Sequence, residues 1–311
     1  MTTAFYSHPE CRLHDMGEGH PECPQRLDAI ADQVLASGLS IALDHRDAPL
    51  ATLAQIERAH SPLYVAELRE FMQQVQQTGA SRYLDPDTMV CAGTWQAALR
   101  AAGAAVAATD AVFNGEVENA FCSIRPPGHH ATRTATMGFC FFNNVAIAAR
   151  HALDVLGLQR VAIIDFDVHH GNGTEDIIAG DERVLMCSIF QHPLYPGSGA
   201  LPMGTNMVNL PVAPYTRGPA VREMIDAMWM DRLDEFRPQM VFISAGFDAH
   251  REDELGQLGL VEADYEWITR RIKGVADRHS GGRIVSCLEG GYALSALGRS
   301  VVAHLRVLAD V

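Results

Sequence analysis

The chain has 311 residues, 48% of them apolar, and its 38 acidic against 24 basic side chains leave a net charge of −14. That balance argues against a nucleic-acid binder, which needs a basic footprint that no window here supplies; an acidic surface suits cationic ligands, or simply solubility. No run approaches the ~18 apolar residues of a membrane span, and no linker tract or fixed-period repeat divides the chain, so a single domain over 1–311 is expected. The opening Met1-Thr-Thr-Ala-Phe-Tyr-Ser-His8 lacks the basic-then-apolar pattern of a secretory leader. Seven cysteines, an odd number without C-x-x-C spacing, read as free thiols in a reducing compartment, and a cytoplasmic location is expected.

In chain order, an Ala-rich helical pattern runs from Gly93 to Asp110, followed by an apolar strand at Phe121–Arg125 that leads into Pro126-Pro-Gly-His-His130. A second helix spans Asn143–Leu156, closed by Gly157 as a helix C-cap would be. Strands follow at Val161–Phe166 and Val184–Ile189, a helix at Val221–Phe236, a strand at Met240–Ala245 and a helix at Glu262–Arg278. The last pair is a strand at Arg283–Leu288 and a helix at Leu294–Leu308. These strands are continuously apolar rather than alternating, the pattern of parallel strands covered on both faces. Strands alternating with helices imply an α/β, three-layer αβα fold with a mostly parallel central sheet. Ligands in such folds gather beyond the carboxyl ends of the strands.

The chemically suggestive residues fall at those ends. Asp167 and His169 leave one strand, and Asp248 leaves another. Together they would hold a cation with an O, N, O donor set and leave positions open, as catalytic sites do. Two carboxylates make Zn²⁺ the leading ion, with Fe²⁺ and Mn²⁺ as alternatives. An Asp-x-His at a strand end more often caps the following loop; the coincidence of three strand ends tips the reading toward ligation. His129 and His130 close a rigid Pro-Pro-Gly turn, and either imidazole could act as general base. Asp165 could accept a hydrogen bond from one of them and fix its tautomer. Gly290-Gly291 lets the chain bend sharply before Tyr292, whose hydroxyl could donate to an oxyanion; by itself this motif reads equally as a turn and a packing tyrosine.

In order along nearly the whole chain stand His20-Pro-Glu-Cys-Pro-Gln-Arg26, Arg125-Pro-Pro-Gly-His-His130, Gly138-Phe-Cys-Phe-Phe-Asn-Asn144, Asp165-Phe-Asp-Val-His-His-Gly-Asn172, Ser244-Ala-Gly-Phe-Asp248 and Glu289-Gly-Gly-Tyr292. With these segments the chain resembles the histone deacetylase family, on the arginase/deacetylase fold, and specifically its class II-like bacterial amidohydrolases. The resemblance implies Asp167, His169 and Asp248 as zinc ligands, His129 and His130 as a proton-transfer pair with His130 the main base and acid, and Tyr292 as oxyanion donor. It implies Phe139, with Gly138 before it, and Tyr195 as walls of an acyl-lysine tunnel, and Arg26 near an acetate exit. Asp87, in competition with Asp85, matches a rim carboxylate that bonds a peptide backbone. Asp165, Asp167, His169 and Ser188 would line a structural K⁺ site.

Some positions depart from one or another branch. Asn172 stands where class I members carry Asp behind the second histidine, and this neutral partner should leave His130 less basic. Tyr195 replaces the usual Phe of the tunnel wall. Tyr292 is present where weakly active class IIa members carry His. Leu255 sits where polyamine-selective relatives place a Glu gatekeeper, with Glu254 adjacent. The implied activity is metal-assisted hydrolysis of an acyl amide: acetylated lysine in a peptide or protein, or a small acetylated amine such as an acetylpolyamine. An arginase-type binuclear Mn²⁺ hydrolase is disfavoured because Gly171 and His250 occupy positions where it needs carboxylates. A non-catalytic acyl-lysine binder would tolerate loss of the histidine pair or the tyrosine, and all three are present. Nothing in the sequence specifies an oligomeric state.

Overall fold

The structure is a computed structural model that describes residues 2–311. The first third holds β1 (Thr3–Ser7), α1 (Gln25–Ala36), β2 (Leu43–Asp47), α2 (Leu53–Ile56), α3 (Pro62–Thr78), the hairpin strands β3 (Arg82–Asp85) and β4 (Thr88–Val90), and α4 (Thr94–Phe113). The middle holds β5 (Asn119–Cys122), α5 (Asn144–Asp154), β6 (Val161–Asp165), α6 (Asn172–Ile178), β7 (Val184–Gln191) and β8 (Met207–Val212). The remainder is α7 (Gly218–Met228), α8 (Met230–Phe236), β9 (Met240–Ala245), α9 (Glu262–His279), β10 (Ile284–Leu288) and α10 (Leu294–Leu308).

Eight strands form one sheet in the order β2-β1-β5-β10-β9-β6-β7-β8, and every pairing in it is parallel. The expected α/β class and parallel sheet are therefore what the chain adopts. The central strands β6, β7, β9 and β10 are buried at every position, because their Val, Ile, Leu, Met and Cys side chains are covered from both faces. Helices α1, α9 and α10 pack together, and α4 packs with α5. The edge strand β2 buries only Leu43, its other residues being partly or fully exposed, and its Leu-Asp-His-Arg-Asp sequence carries no apolar run. That polarity is why it does not stand out in the sequence; its neighbour β1, Thr-Ala-Phe-Tyr-Ser, is buried but too short and mixed to form an apolar run.

The expected helix over Val221–Phe236 is instead two helices. Its apolar stripe changes phase: Val221, Ile225 and the fully buried Trp229 lie four apart, whereas Met230 and Leu233 start a new stripe. The first of the pair also starts earlier, at Gly218, with Pro219 in its first turn, where a missing N–H costs nothing. The helix expected to close at Gly157 ends at Asp154, and Gly157 follows with φ 77°. All seven cysteines are free. Among the described residues, no helix is long and apolar enough to cross a membrane.

Candidate metal centre and substrate channel

Five adjacent strands, β5, β10, β9, β6 and β7, release their chains on one edge of the sheet, and the loops that follow supply the site. β6 runs into Asp167 and His169, and β9 into Asp248. One ligand atom from each lies within 4.8 Å of the others, the one such cluster of His, Cys, Asp or Glu among the described residues. His169 Nδ1 is 3.1 Å from both Asp167 Oδ1 and Asp248 Oδ2. Both carboxylates are buried. Burial and the neighbouring Asp167 push Asp248 up to about 7, while for Asp167 burial is outweighed by His129 and His169, which hold it low. Two buried acids competing in this way form a donor set that a divalent cation would relieve. The backbone leaves room for it: a Cβ at Gly290 would collide with the Asp248 and Asp167 carboxylates, and the Gly290 N–H donates to Asp167 Oδ2 at 2.8 Å.

The histidine pair lies beside this cluster. His129 Nδ1 is 3.0 Å from Asp165 Oδ2, as expected of one imidazole and that aspartate. Burial alone would lower the His129 pKa, but Asp167 and Asp165 outweigh it and carry it to about 10. His130 Nδ1 is 2.8 Å from Asn172 Oδ1, and the Asn172 amide nitrogen donates to Met137 Sδ at 3.0 Å. That amide orientation makes Nδ1 the protonated nitrogen of His130 and leaves Nε2 as an acceptor. Burial, then the charges of His129 and His169, hold His130 well below the usual imidazole range. The lowering is therefore the work of burial and the two neighbouring imidazoles; the hydrogen bond to Asn172 itself acts in the opposite direction.

A channel of about 230 Å³ opens over these groups, lined by Asp87, His130, Gly138, Phe139, His169, Leu194, Tyr195, Leu255 and Tyr292. Gly138 and Phe139 both have positive φ, 56° and 68°, between the paired residues Met137 and Cys140. Two such residues in a row make a tight mirror-image turn, costly for Phe, that aims its ring into the channel. Phe139 meets Tyr292 edge to face at 6.1 Å, and Tyr195 meets His130 the same way at 5.2 Å. Arg26 does not line the channel. It lies fully buried behind Tyr292, its guanidinium 4.9 Å from the ring centroid, and donates to Gly291 O at 2.6 Å. Ser188, opposite Asp165 in the β6–β7 register, has a buried hydroxyl with no partner.

Three supporting carboxylates went unnoticed in the sequence. Glu289 is fully buried and accepts the Gly128 and His129 N–H groups at 2.6 and 3.1 Å and the Ser244 hydroxyl at 3.0 Å, which fixes the histidine turn. Asp253 accepts the N–H groups of Tyr292 and Ala293 at 2.6 and 3.0 Å. Glu22 takes both Arg125 Nε, at 2.5 Å, and Nη2, at 2.6 Å, and also Arg26 Nη1 at 3.1 Å, all without solvent exposure. The available signal was position: Glu289 directly follows a buried strand, and Glu22 stands four residues before Arg26, just ahead of α1.

The same architecture recurs in known proteins. The family model described as Histone deacetylase domain matches residues 20–308. A "Probable deacetylase" of Archaeoglobus fulgidus is 38% identical over 94% of this chain and 82% of its own length. The "Histone deacetylase-like amidohydrolase" of Pseudomonas aeruginosa is 36% identical over 88% of this chain and 73% of its own. Among solved structures, the "HDA15 HD domain" superposes with a TM-score of 0.93 at 33% identity, covering all of this chain and 89% of that one. With the family model spanning most of its length, the chain belongs to the histone deacetylase family of deacetylases and amidohydrolases.

Proposed function

We propose that the protein is a zinc-dependent amidohydrolase that removes acetyl or related acyl groups from a primary amine, either the side chain of lysine or a small amine. The observation that carries this reading is the coincidence, at the floor of one channel, of an O, N, O cluster, a neutral imidazole with a free Nε2 and a tyrosine. A divalent cation held by Asp167, His169 and Asp248 would supply Lewis-acid polarisation of the acyl carbonyl and acidify a water. His130 Nε2 accepts the proton of the attacking water and returns it to the departing amine, with Asn172 fixing its tautomer. His129, kept charged by Asp167 and Asp165, adds positive potential beside the developing negative charge. The Tyr292 hydroxyl, whose pKa burial pushes well up, stays protonated and donates to the oxyanion. Phe139 and Tyr195 flank an unbranched acyl-amine arm, with Leu255 at the mouth, and the orphaned Ser188 hydroxyl beside Asp165 suits the K⁺ site expected there.

An arginase-like pair of metals is less well served, because His250 Nδ1 accepts the Glu252 N–H and lies outside the cluster. The test is metal content and acetamide hydrolysis on the same sample. One tightly held ion per chain, activity lost on chelation and regained with Zn²⁺, and both ion and activity absent from Asp167→Ala are expected. Hydrolysis that survives removal of the ion would refute the reading.

A further inference from the structure

Three backbone N–H groups from two loops converge on one buried carboxylate. Asp253 Oδ2 accepts those of Tyr292 and Ala293 at 2.6 and 3.0 Å, and its Oδ1 accepts that of Leu255 at 3.1 Å. Asp253 stands five residues after Asp248, in the loop that follows β9. Its own N–H donates to His250 O at 2.9 Å, so the carboxylate is placed by the same loop that presents Asp248. One loop therefore carries a member of the O, N, O cluster, a clamp on the tyrosine turn and, through Leu255, part of the channel wall.

Helix capping does not account for this arrangement. A capping side chain bonds the second or third N–H inside a helix, whereas Asp253 takes those of the two residues ahead of α10, one of them Tyr292 itself. The rest of the turn is held in the same way. Arg26 donates to Gly291 O at 2.6 Å, the Phe247 N–H donates to Gly290 O at 2.9 Å, and the Gly290 N–H donates to Asp167. Placement of the Tyr292 hydroxyl then depends on this backbone and on the contacts of its ring with Phe139 and Arg26. Resting on the amidohydrolase reading above, we infer that Asp253 is a positioning residue for hydrolysis, which ties the Tyr292 turn to the Asp248 loop and so fixes the oxyanion donor relative to the ligand cluster. Misplacing a reacting group by about 1 Å can cost on the order of 10²-fold in rate. An oxyanion donor acts in the transition state, so the loss falls on kcat rather than KM.

The test is a double-mutant cycle on the zinc-loaded protein, run with a blocked acetyl-lysine peptide or N-acetylcadaverine, whichever the wild type hydrolyses faster. Asp253→Ala should lower kcat by about 10- to 100-fold, keep KM within about threefold and retain one ion per chain. Asp253→Asn leaves one oxygen for the Tyr292 and Ala293 N–H groups but turns its NH₂ group on that of Leu255. It should lose about three- to tenfold in kcat, and it carries the test if the alanine variant does not fold. In a Tyr292→Phe background either substitution should cost less than about twofold, because the donor being positioned is gone. Binding gives a readout without turnover: a trifluoromethyl ketone analogue, whose hydrate resembles the tetrahedral intermediate, should bind Asp253→Ala about tenfold more weakly than wild type. A kcat within about twofold of wild type in the folded variants, losses that multiply in the double variants, or loss of the ion together with activity would overturn the inference and leave the hydrolase reading standing. Hydrolysis of neither compound by the wild type would remove both.

Discussion

The buried network around Glu22 offers the sharpest quantitative test. Its carboxylate faces two guanidiniums, those of Arg125 and Arg26, none of the three having any solvent exposure. Glu22→Gln keeps the shape but replaces one oxygen with an NH₂ group pointing at an N–H donor, and leaves two cations without a counter-charge. Breaking a buried pair from one side costs about 3–5 kcal/mol. A second route gives a similar figure. Burial alone would raise the Glu22 pKa, but Arg125, then His14 and Arg26, bring it from 4.5 to about 2. A carboxyl displaced that far stabilises the fold by about 3 kcal/mol at neutral pH. The folded-state pKa is depressed, so this contribution is complete above pH 4.5 and disappears as pH falls through about 2. Urea unfolding of wild type and variant should therefore differ by about 3–5 kcal/mol at pH 6, with the gap narrowing steadily below pH 4.5. A difference under about 1 kcal/mol, or one that stays constant down to pH 3, would refute this account of the network.

Tyr292→Phe should lower turnover by roughly 10²–10³ with little change in KM, as loss of a single oxyanion donor does; steady-state kinetics check it, and unchanged turnover would exclude the role. Gly290→Ala should reduce metal content and activity together, since the added methyl intrudes on the Asp167 and Asp248 carboxylates; a metal-replete variant would contradict that geometry. His60, buried and bonded to Thr132 O and the Asn143 N–H, both at 2.9 Å, is held down to about 4 by burial first. Its depressed pKa means stability is complete above about 6.5 and falls by about 3 kcal/mol as pH drops toward 4. His60→Gln should flatten that part of the stability profile, measured by urea midpoints, and an equally steep profile would place the titration elsewhere.

Much of the centre was legible because its residues follow buried apolar runs: Asp167 and His169 after β6, Asp248 after β9, His129 and His130 after β5, Tyr292 after β10. A continuous run identifies a central strand, and parallel strands all deliver their loops to one edge, so separate motifs converge without further information. Residues that hold the centre were harder to find. Glu22, Glu289 and Asp253 act through backbone N–H groups or buried arginines, contacts that depend on how loops pack and leave no periodic trace. The break at Trp229 escaped notice because aromatic and aliphatic residues fit two helical phases equally well until packing selects one. The edge strand β2 was missed for the opposite reason, since a half-exposed strand needs no apolar run.

Arg26 and Gly291, joined by one hydrogen bond, are 265 positions apart. During synthesis the tyrosine turn cannot be braced until the final strand has left the ribosome and met an arginine made near the start. Partly made chains would therefore be inert even with the acid–imidazole cluster in place. Loss of the segment ahead of residue 27 should likewise silence hydrolysis, although it removes no residue that lines the channel.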